Sequence, residues 1–311
     1  MKKIVLVIII SLLTISIQAS QSCTIFTIKT ANTVYFGNNE DYLYDNTFIS
    51  FKPSNGSTYG HVNVGFHNNN GFIGDDSAQG GLNTEGLAFD ANALPPLPLN
   101  SHKNDRLPIP SGEPLENILM YCKNVSEVVN WFLEHDFNIA EIPAQIHFAD
   151  ASGNATVVSV NGGEWAFTFI NKQGYLISTN YNLANISNGE YPSWRYNNAA
   201  LLISQQDKNN ITEQSLVDIL QSTHQTGEAH TVYSYLINLQ SVDLKLFYEA
   251  DFSKGINFNL PSELLKGEHT YDIGNLFKTN GSSSTIDGFT VLSTITVISM
   301  LPYFKKKMIN K

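Results

Sequence analysis

The stretch Ala19-Ser20-Gln21-Ser22-Cys23-Thr24-Ile25-Phe26-Thr27-Ile28-Lys29 decides how the rest of the chain is read, because it joins two kinds of sequence. Upstream, Lys2 and Lys3 form a basic n-region, Ile4 to Ile17 an apolar h-region and Ala19 to Ser22 a small-residue exit, the layout of a secretory signal over residues 1–22. Downstream, Cys23 to Lys29 alternates with period two, as a half-buried strand does. Cleavage after Ser22 would expose Cys23 directly. Cleavage after Ser20 also satisfies the small-residue rule and would leave Gln21-Ser22 to be trimmed.

A cysteine at a new N-terminus carries a thiol nucleophile and, in its free α-amine, a base with a pKa of roughly 8. Cys23 is therefore the candidate catalytic centre, with no separate histidine required. The competing fate of such a cysteine is lipidation. That signal wants a large aliphatic residue three positions earlier, where this chain has Ser20, and it usually leads into a flexible tether rather than a strand.

Between leader and tail about 255 residues remain (23–278), enough for one large domain with a sizeable core. The formal charge of −10 understates this domain's acidity, since Lys2, Lys3, Lys305, Lys306, Lys307 and Lys311 lie in the termini. So negative a field disfavours nucleic acid as a partner. Cys122, the other cysteine, falls in the helical series Leu115, Ile118, Leu119, Cys122, Val125 and reads as a small buried hydrophobe; a bridge to Cys23 would refute the nucleophile assignment. Sequons at Asn55, Asn124, Asn154, Asn185, Asn210 and Asn280 fit an exported surface. The histidines form no His-Glu-x-x-His pattern, there is no Cys-x-x-Cys pair, and no metal or other cofactor is expected.

At the C-terminus, a Ser/Gly-rich linker (279–287) leads to an uncharged segment (288–304) and a basic tail (305–311). The segment is short for a span, but the lysines that follow make it a stop-transfer or sorting signal. The expectation is a domain exported and held at the outer face of the cell membrane.

Strand-like runs cover Cys23 to Lys29, Thr33 to Phe36, Phe48 to Lys52 and Gly86 to Phe89, followed by a helical block from Glu113 to His135. Strands return at Gln145 to Phe148, Ala155 to Val160, Trp165 to Phe169 and Tyr175 to Ser178. Helices then cover Trp194 to Gln205 and Glu213 to Gln221, and strands Thr231 to Asn238 and Lys245 to Ala250. This order predicts an α+β fold rather than a parallel, doubly wound sheet.

Several segments follow one another in a recognisable order: Cys23-Thr24-Ile25-Phe26, Gly37-Asn38-Asn39-Glu40-Asp41-Tyr42, Gly81-Leu82-Asn83-Thr84-Glu85-Gly86-Leu87-Ala88, Phe148-Ala149-Asp150-Ala151-Ser152-Gly153, Ser178-Thr179-Asn180 and Pro192-Ser193-Trp194-Arg195-Tyr196. In this the chain resembles the choloylglycine hydrolase family of N-terminal-nucleophile amidases, which includes bile salt hydrolases, penicillin V acylases, N-acylethanolamine acid amidase and the isopenicillin N acyltransferase relatives. The resemblance implies a four-layer αββα sandwich of two antiparallel sheets, with Cys23 at the end of an inner strand. It also implies hydrolysis of linear, non-peptide carbon–nitrogen amide bonds in a small acylated substrate through an acyl-enzyme, without a cofactor. Asp41 takes the place of the family's orienting aspartate. Asn180 takes that of an oxyanion-site asparagine, with Asn92, offset by one residue, as the second. Arg195 fits the Ser-x-Arg-aromatic motif that stabilises the centre. The family's motif arginine is Asn38 here, which removes a cation that would favour the thiolate. An acyltransferase of the same fold, and a non-catalytic surface lipoprotein, are the alternative readings.

Overall fold

The structure, a computed structural model, describes residues 23–67, 76–102, 105–186, 191, 193–207 and 210–280. The expected signal (1–22), the segment 288–304 and the basic tail lie outside the described residues. Among the described residues, no helix is long and apolar enough to cross a membrane.

The chain opens with β1 (Thr24–Lys29), β2 (Val34–Tyr42), β3 (Thr47–Lys52), β4 (His61–Phe66), β5 (Ser77–Asn83), β6 (Ala88–Pro98) and β7 (Leu107–Pro108). It continues through α1 (Pro114–Tyr121), α2 (Val125–Glu134), β8 (His135–Asp136), β9 (Glu141–Ala149), β10 (Ala155–Asn161), β11 (Glu164–Phe169) and β12 (Tyr175–Ser178). Next come α3 (Trp194–Gln205), α4 (Glu213–Thr223), β13 (His230–Asn238), β14 (Asp243–Tyr248), β15 (Ile256–Asn259), α5 (Leu260–Leu264), β16 (His269–Asp272) and α6 (Ile273–Asn280).

Two antiparallel sheets face each other. The first has the order β12-β1-β2-β13-β14-β15, the second β11-β10-β9-β6-β5-β4-β3-β16. Ile25, Phe36, Tyr233 and Tyr235 of the first sheet pack against Ile49, Phe51, Val62 and Val157 of the second. On the outer face of the first sheet, Phe26, Ile28 and Phe247 meet Ala199, Ile203, Leu216 and Leu220 of α3 and α4. On the outer face of the second, Phe89, Phe148 and Val158 meet Ile118, Leu119, Val128 and Phe132 of α1 and α2. The result is the four-layer αββα sandwich. Burying each of these large side chains contributes roughly 1.5–3 kcal/mol.

Several sequence expectations are corrected. β1 is not half-buried: Ile25 faces the second sheet, Phe26 and Ile28 face the helices, and only Lys29 is exposed. The helical block from Glu113 to His135 is two helices, because Cys122 is extended and Asn124 caps α2 by accepting the Glu127 N–H. β2, expected to end at Phe36, continues through the Gly37 to Asp41 motif, and β6 runs past Phe89 as far as Pro98. α6 carries Thr279 and Asn280 into the expected linker. The cysteines are not bridged.

Candidate active site

The site forms where β1 begins. Cys23 precedes β1, which lies between β12 and β2, and pairing of Thr24 with Asn39 brings the thiol beside the Glu40–Asp41 end of β2. Gly37 makes this close pairing possible, because a Cβ there would lie 2.3 Å from the Phe26 ring. Cys23 is 1 % exposed. Burial and the nearby charges of Glu40, Asp41 and Asp90 push its thiol well above the ordinary cysteine range. The Asp41 N–H donates to the sulfur and opposes the shift.

The residues singled out in the sequence converge here. Asn92, fully buried on β6, donates its amide to the Cys23 carbonyl oxygen at 3.1 Å. Asp41 accepts from Arg195 Nη1 at 3.3 Å, from Gln225 Nε2 at 3.0 Å and from the Thr231 hydroxyl. Burial pushes its carboxyl up to about 6, against the opposing pull of Thr231, Gln225 and Arg195. Arg195, in the first turn of α3, also donates through Nη2 to Asn180 Oδ1 at 3.0 Å. Asn180 in turn donates to the Ala93 carbonyl at 2.9 Å, which ties it to the strand that carries Asn92. Asp41, Arg195 and Asn180 thus form one connected line beside the thiol.

The Asn180 turn is braced from behind. Gln145 donates to the carbonyls of Thr179 and Tyr181 at 2.7 and 2.8 Å, and its own oxygen accepts the Leu183 N–H at 3.1 Å. Thr179 and Ser193 hydroxyls meet at 3.0 Å, joining this turn to the residue that caps α3. Below them, His147 bonds Thr27 and Ser178 at 2.9 Å each. Burial holds its imidazole down to about 3, so it is a neutral bridge between the sheets rather than a base.

Sequence reasoning missed the acids closest to the sulfur. The Cys23 thiol hydrogen-bonds the Glu40 carboxylate. Asn38 donates to Asp90 Oδ2 at 2.8 Å and, more weakly, to Glu40 Oε2 at 3.4 Å. Asp90 also accepts from the Tyr235 hydroxyl and from the Ala91 N–H at 2.7 Å. Burial raises both carboxyls, and the charge of Asp90 raises Glu40 further. Where the resemblance calls for an arginine, the structure holds a neutral amide between two acids. Period two in a strand was the available signal, since Asn38 and Glu40 share the face that carries Phe36.

Beyond Asp41, Gln225 and Thr231 line an open cleft of about 540 Å³ together with His224, His230 and Glu249. Among the described residues, no cluster of three or more His, Cys, Asp or Glu side chains is arranged to hold a metal ion.

The same architecture is found in solved structures of two other proteins. Two structures of a conjugated bile acid hydrolase from Clostridium perfringens, a mutant and a variant, superpose with TM-scores of 0.61 and 0.60 at 18% and 19% identity. Each match covers 80% of this chain and 96% of the hydrolase. Penicillin V acylase from Agrobacterium tumefaciens superposes with a TM-score of 0.56 at 15% identity, covering 76% of this chain and 85% of the acylase. No protein-family model and no curated protein sequence matches the chain.

Proposed function

We propose that the chain is the precursor of an exported cysteine N-terminal-nucleophile hydrolase that cleaves linear, non-peptide amide bonds of a small acylated substrate. The observation that carries this reading is the convergence of Cys23, Asn92, Asp41, Arg195 and Asn180 at the head of β1 in a fold shared with a bile acid hydrolase and a penicillin acylase.

In the full chain the Cys23 nitrogen is an amide, and removal of residues 1–22 turns it into an amine. The thiol sulfur attacks the substrate carbonyl carbon, and charge gathers on the carbonyl oxygen. Asn180, fixed by Arg195 and braced by Gln145, is the neutral donor next to that charge; one such preorganised donor is worth about 10²–10³ in rate. Collapse breaks the carbon–nitrogen bond, and the thiol's proton goes to the departing amine. Water then hydrolyses the thioester. Export rests on the leader, and retention at the outer membrane face on the segment 288–304.

The test is hydrolysis of chromogenic N-acyl amides by the processed chain and by Cys23→Ala. Turnover in the first and none in the second is expected, and activity in Cys23→Ala would refute the mechanism. Added amines that divert the acyl group from water to an acyl-amine product would make the enzyme an acyltransferase instead.

A further inference from the structure

The side chain in direct contact with the Cys23 thiol is one the resemblance does not assign. Glu40 lies next to it across the β1–β2 pair, is 1 % exposed, and accepts its S–H. It is held from one side by Asn38 and backed from the facing sheet by Asp90, itself fixed by Tyr235, Asn38 and its neighbour's N–H. The space for this arrangement is built in. A Cβ on Gly80 would lie 2.3 Å from the Tyr235 hydroxyl and 2.4 Å from Asp90 Oδ2, so β5 passes the pair only as glycine. Two further polar atoms, Asn38 Oδ1 and the Tyr233 hydroxyl, are fully buried and have no hydrogen-bond partner among the described residues. Tyr233 is near enough to feel the charges of Glu40, Asp90 and Cys23.

We propose that Glu40 is the proton acceptor for the Cys23 thiol, a catalytic residue that Asn38 and the Asp90–Tyr235 pair hold in position. This rests on the amidase reading and changes its base. An α-amine has a pKa of roughly 8, and acids around it favour the charged form. Glu40, Asp41 and Asp90 all lie in the electrostatic surroundings of Cys23, and a terminus held there as an ammonium has no lone pair to accept the thiol proton. That ammonium would supply the cation that Asn38 does not, and its charge favours the ionised form of Glu40. The unpartnered Asn38 Oδ1 and Tyr233 hydroxyl are acceptors suited to its N–H groups or to an attacking water. Because burial and Asp90 make Glu40 more basic than a surface carboxylate, it is better matched to a thiol.

The protons balance. Glu40 takes the S–H proton as sulfur bonds to the carbonyl carbon, and returns it to nitrogen as the carbon–nitrogen bond breaks. It then takes a proton from water as oxygen bonds to the thioester carbon, and gives it to the sulfur that leaves.

The experiment compares the processed chain, its mass confirmed to begin at Cys23, with Glu40→Gln, Glu40→Asp and Cys23→Ala. A variant that fails to mature is made with the initiator Met directly before Cys23, so that removal of Met exposes the same terminus. The readouts are hydrolysis of N-acyl 4-nitroanilides and the pH dependence of Cys23 alkylation by iodoacetamide. Glu40→Gln is expected to lower kcat about 10²–10⁴-fold with little change in KM, to lose the acid limb of the pH profile, and to alkylate more slowly than wild type below pH ~8. Glu40→Asp should fall between the two. Slowing is the diagnostic sign, because deleting a nearby negative charge without deleting a base would ease thiolate formation and speed alkylation. Faster or unchanged alkylation, or an unchanged kcat, overturns the assignment of Glu40 and leaves the nucleophile standing. Hydrolysis by Cys23→Ala overturns the amidase reading instead, and alkylation then judges Glu40 alone. Should Glu40→Gln fail to fold, Asp90→Asn retains the Glu40 carboxyl but removes the charge behind it. It should shift the acid limb to lower pH, and an unmoved limb overturns the proposal.

Discussion

Cys23 and Cys122 are almost equally hidden, at 1 % and 2 % exposure, and burial raises both thiols, Cys122 to about 12. Their surroundings differ. Cys122 ends α1, packs into the apolar layer that includes Ile118, Leu119 and Val125, and offers its carbonyl to Asn83 at 2.8 Å. Cys23 heads an inner strand, with an acid on its thiol, a backbone N–H on its sulfur and an asparagine on its carbonyl. Burial by itself keeps a thiol protonated and inert. A nucleophile needs polar partners that can take its proton and hold the charge it creates, and only one of these cysteines has them.

The comparison is broken most decisively by exchanging which cysteine is lost. Cys23→Ala should reduce amide turnover to background, whereas Cys122→Ala should leave kcat within about twofold of wild type, both measured on the same acyl anilide. If Cys122→Ala also abolished turnover in a folded chain, the contrast would be wrong. Next in size is Arg195→Ala, which strands Asp41 and Asn180 together. Removing one partner of a buried pair costs about 3–5 kcal/mol, visible as a lowered urea midpoint, and kcat should drop with it. Asn180→Ala should lower kcat about 10²–10³-fold while the urea midpoint moves much less, which separates oxyanion stabilisation from scaffolding.

A pH titration sharpens the contrast further. The Asp41 carboxyl, at about 6 in the fold against 3.8 in an unfolded chain, binds its proton more tightly when folded. Its contribution is therefore fully present below pH ~4 and is lost as pH rises through about 6, by about 3 kcal/mol in all. Asp41→Asn should flatten that slope of unfolding free energy between pH 4 and 6.5, and a slope that survives the substitution would place its origin elsewhere. The smallest effect is expected at Cys122→Ala, where the lost sulfur costs about 1 kcal/mol of stability.

Much of this was legible in the sequence for a physical reason. α3 coincides with its expected range, because Ser193 caps it and the apolar spacing of Ala199 and Ile203 is unambiguous. The sheets' α+β order was equally readable, and Cys23, Asp41, Asn180 and Arg195, singled out along the chain, lie together in the fold. What escaped was written in three dimensions rather than along the chain. β5 is Ser77-Ala-Gln-Gly-Gly-Leu-Asn, with little strand propensity, and it lies deep in the second sheet because Gly80 and Gly81 fit where side chains do not. The apolar series across Cys122 ran on through Val125, so the cap at Asn124 was hidden inside a helical pattern. Nothing along the chain marked Glu40 or Asp90 as a pair, since only the stacking of the two sheets brings these buried acids together. Of the sequons, Asn55, Asn154, Asn185 and Asn210 are exposed, while Asn124 is engaged as a helix cap.

The most direct test is the intact mass of the protein recovered after export from a cell that processes such leaders. A chain beginning at Cys23, with no adduct on its thiol or its amine, is the expected result. A lipid on Cys23, or residues still attached ahead of it, would deny the thiol its free terminus and contradict the account.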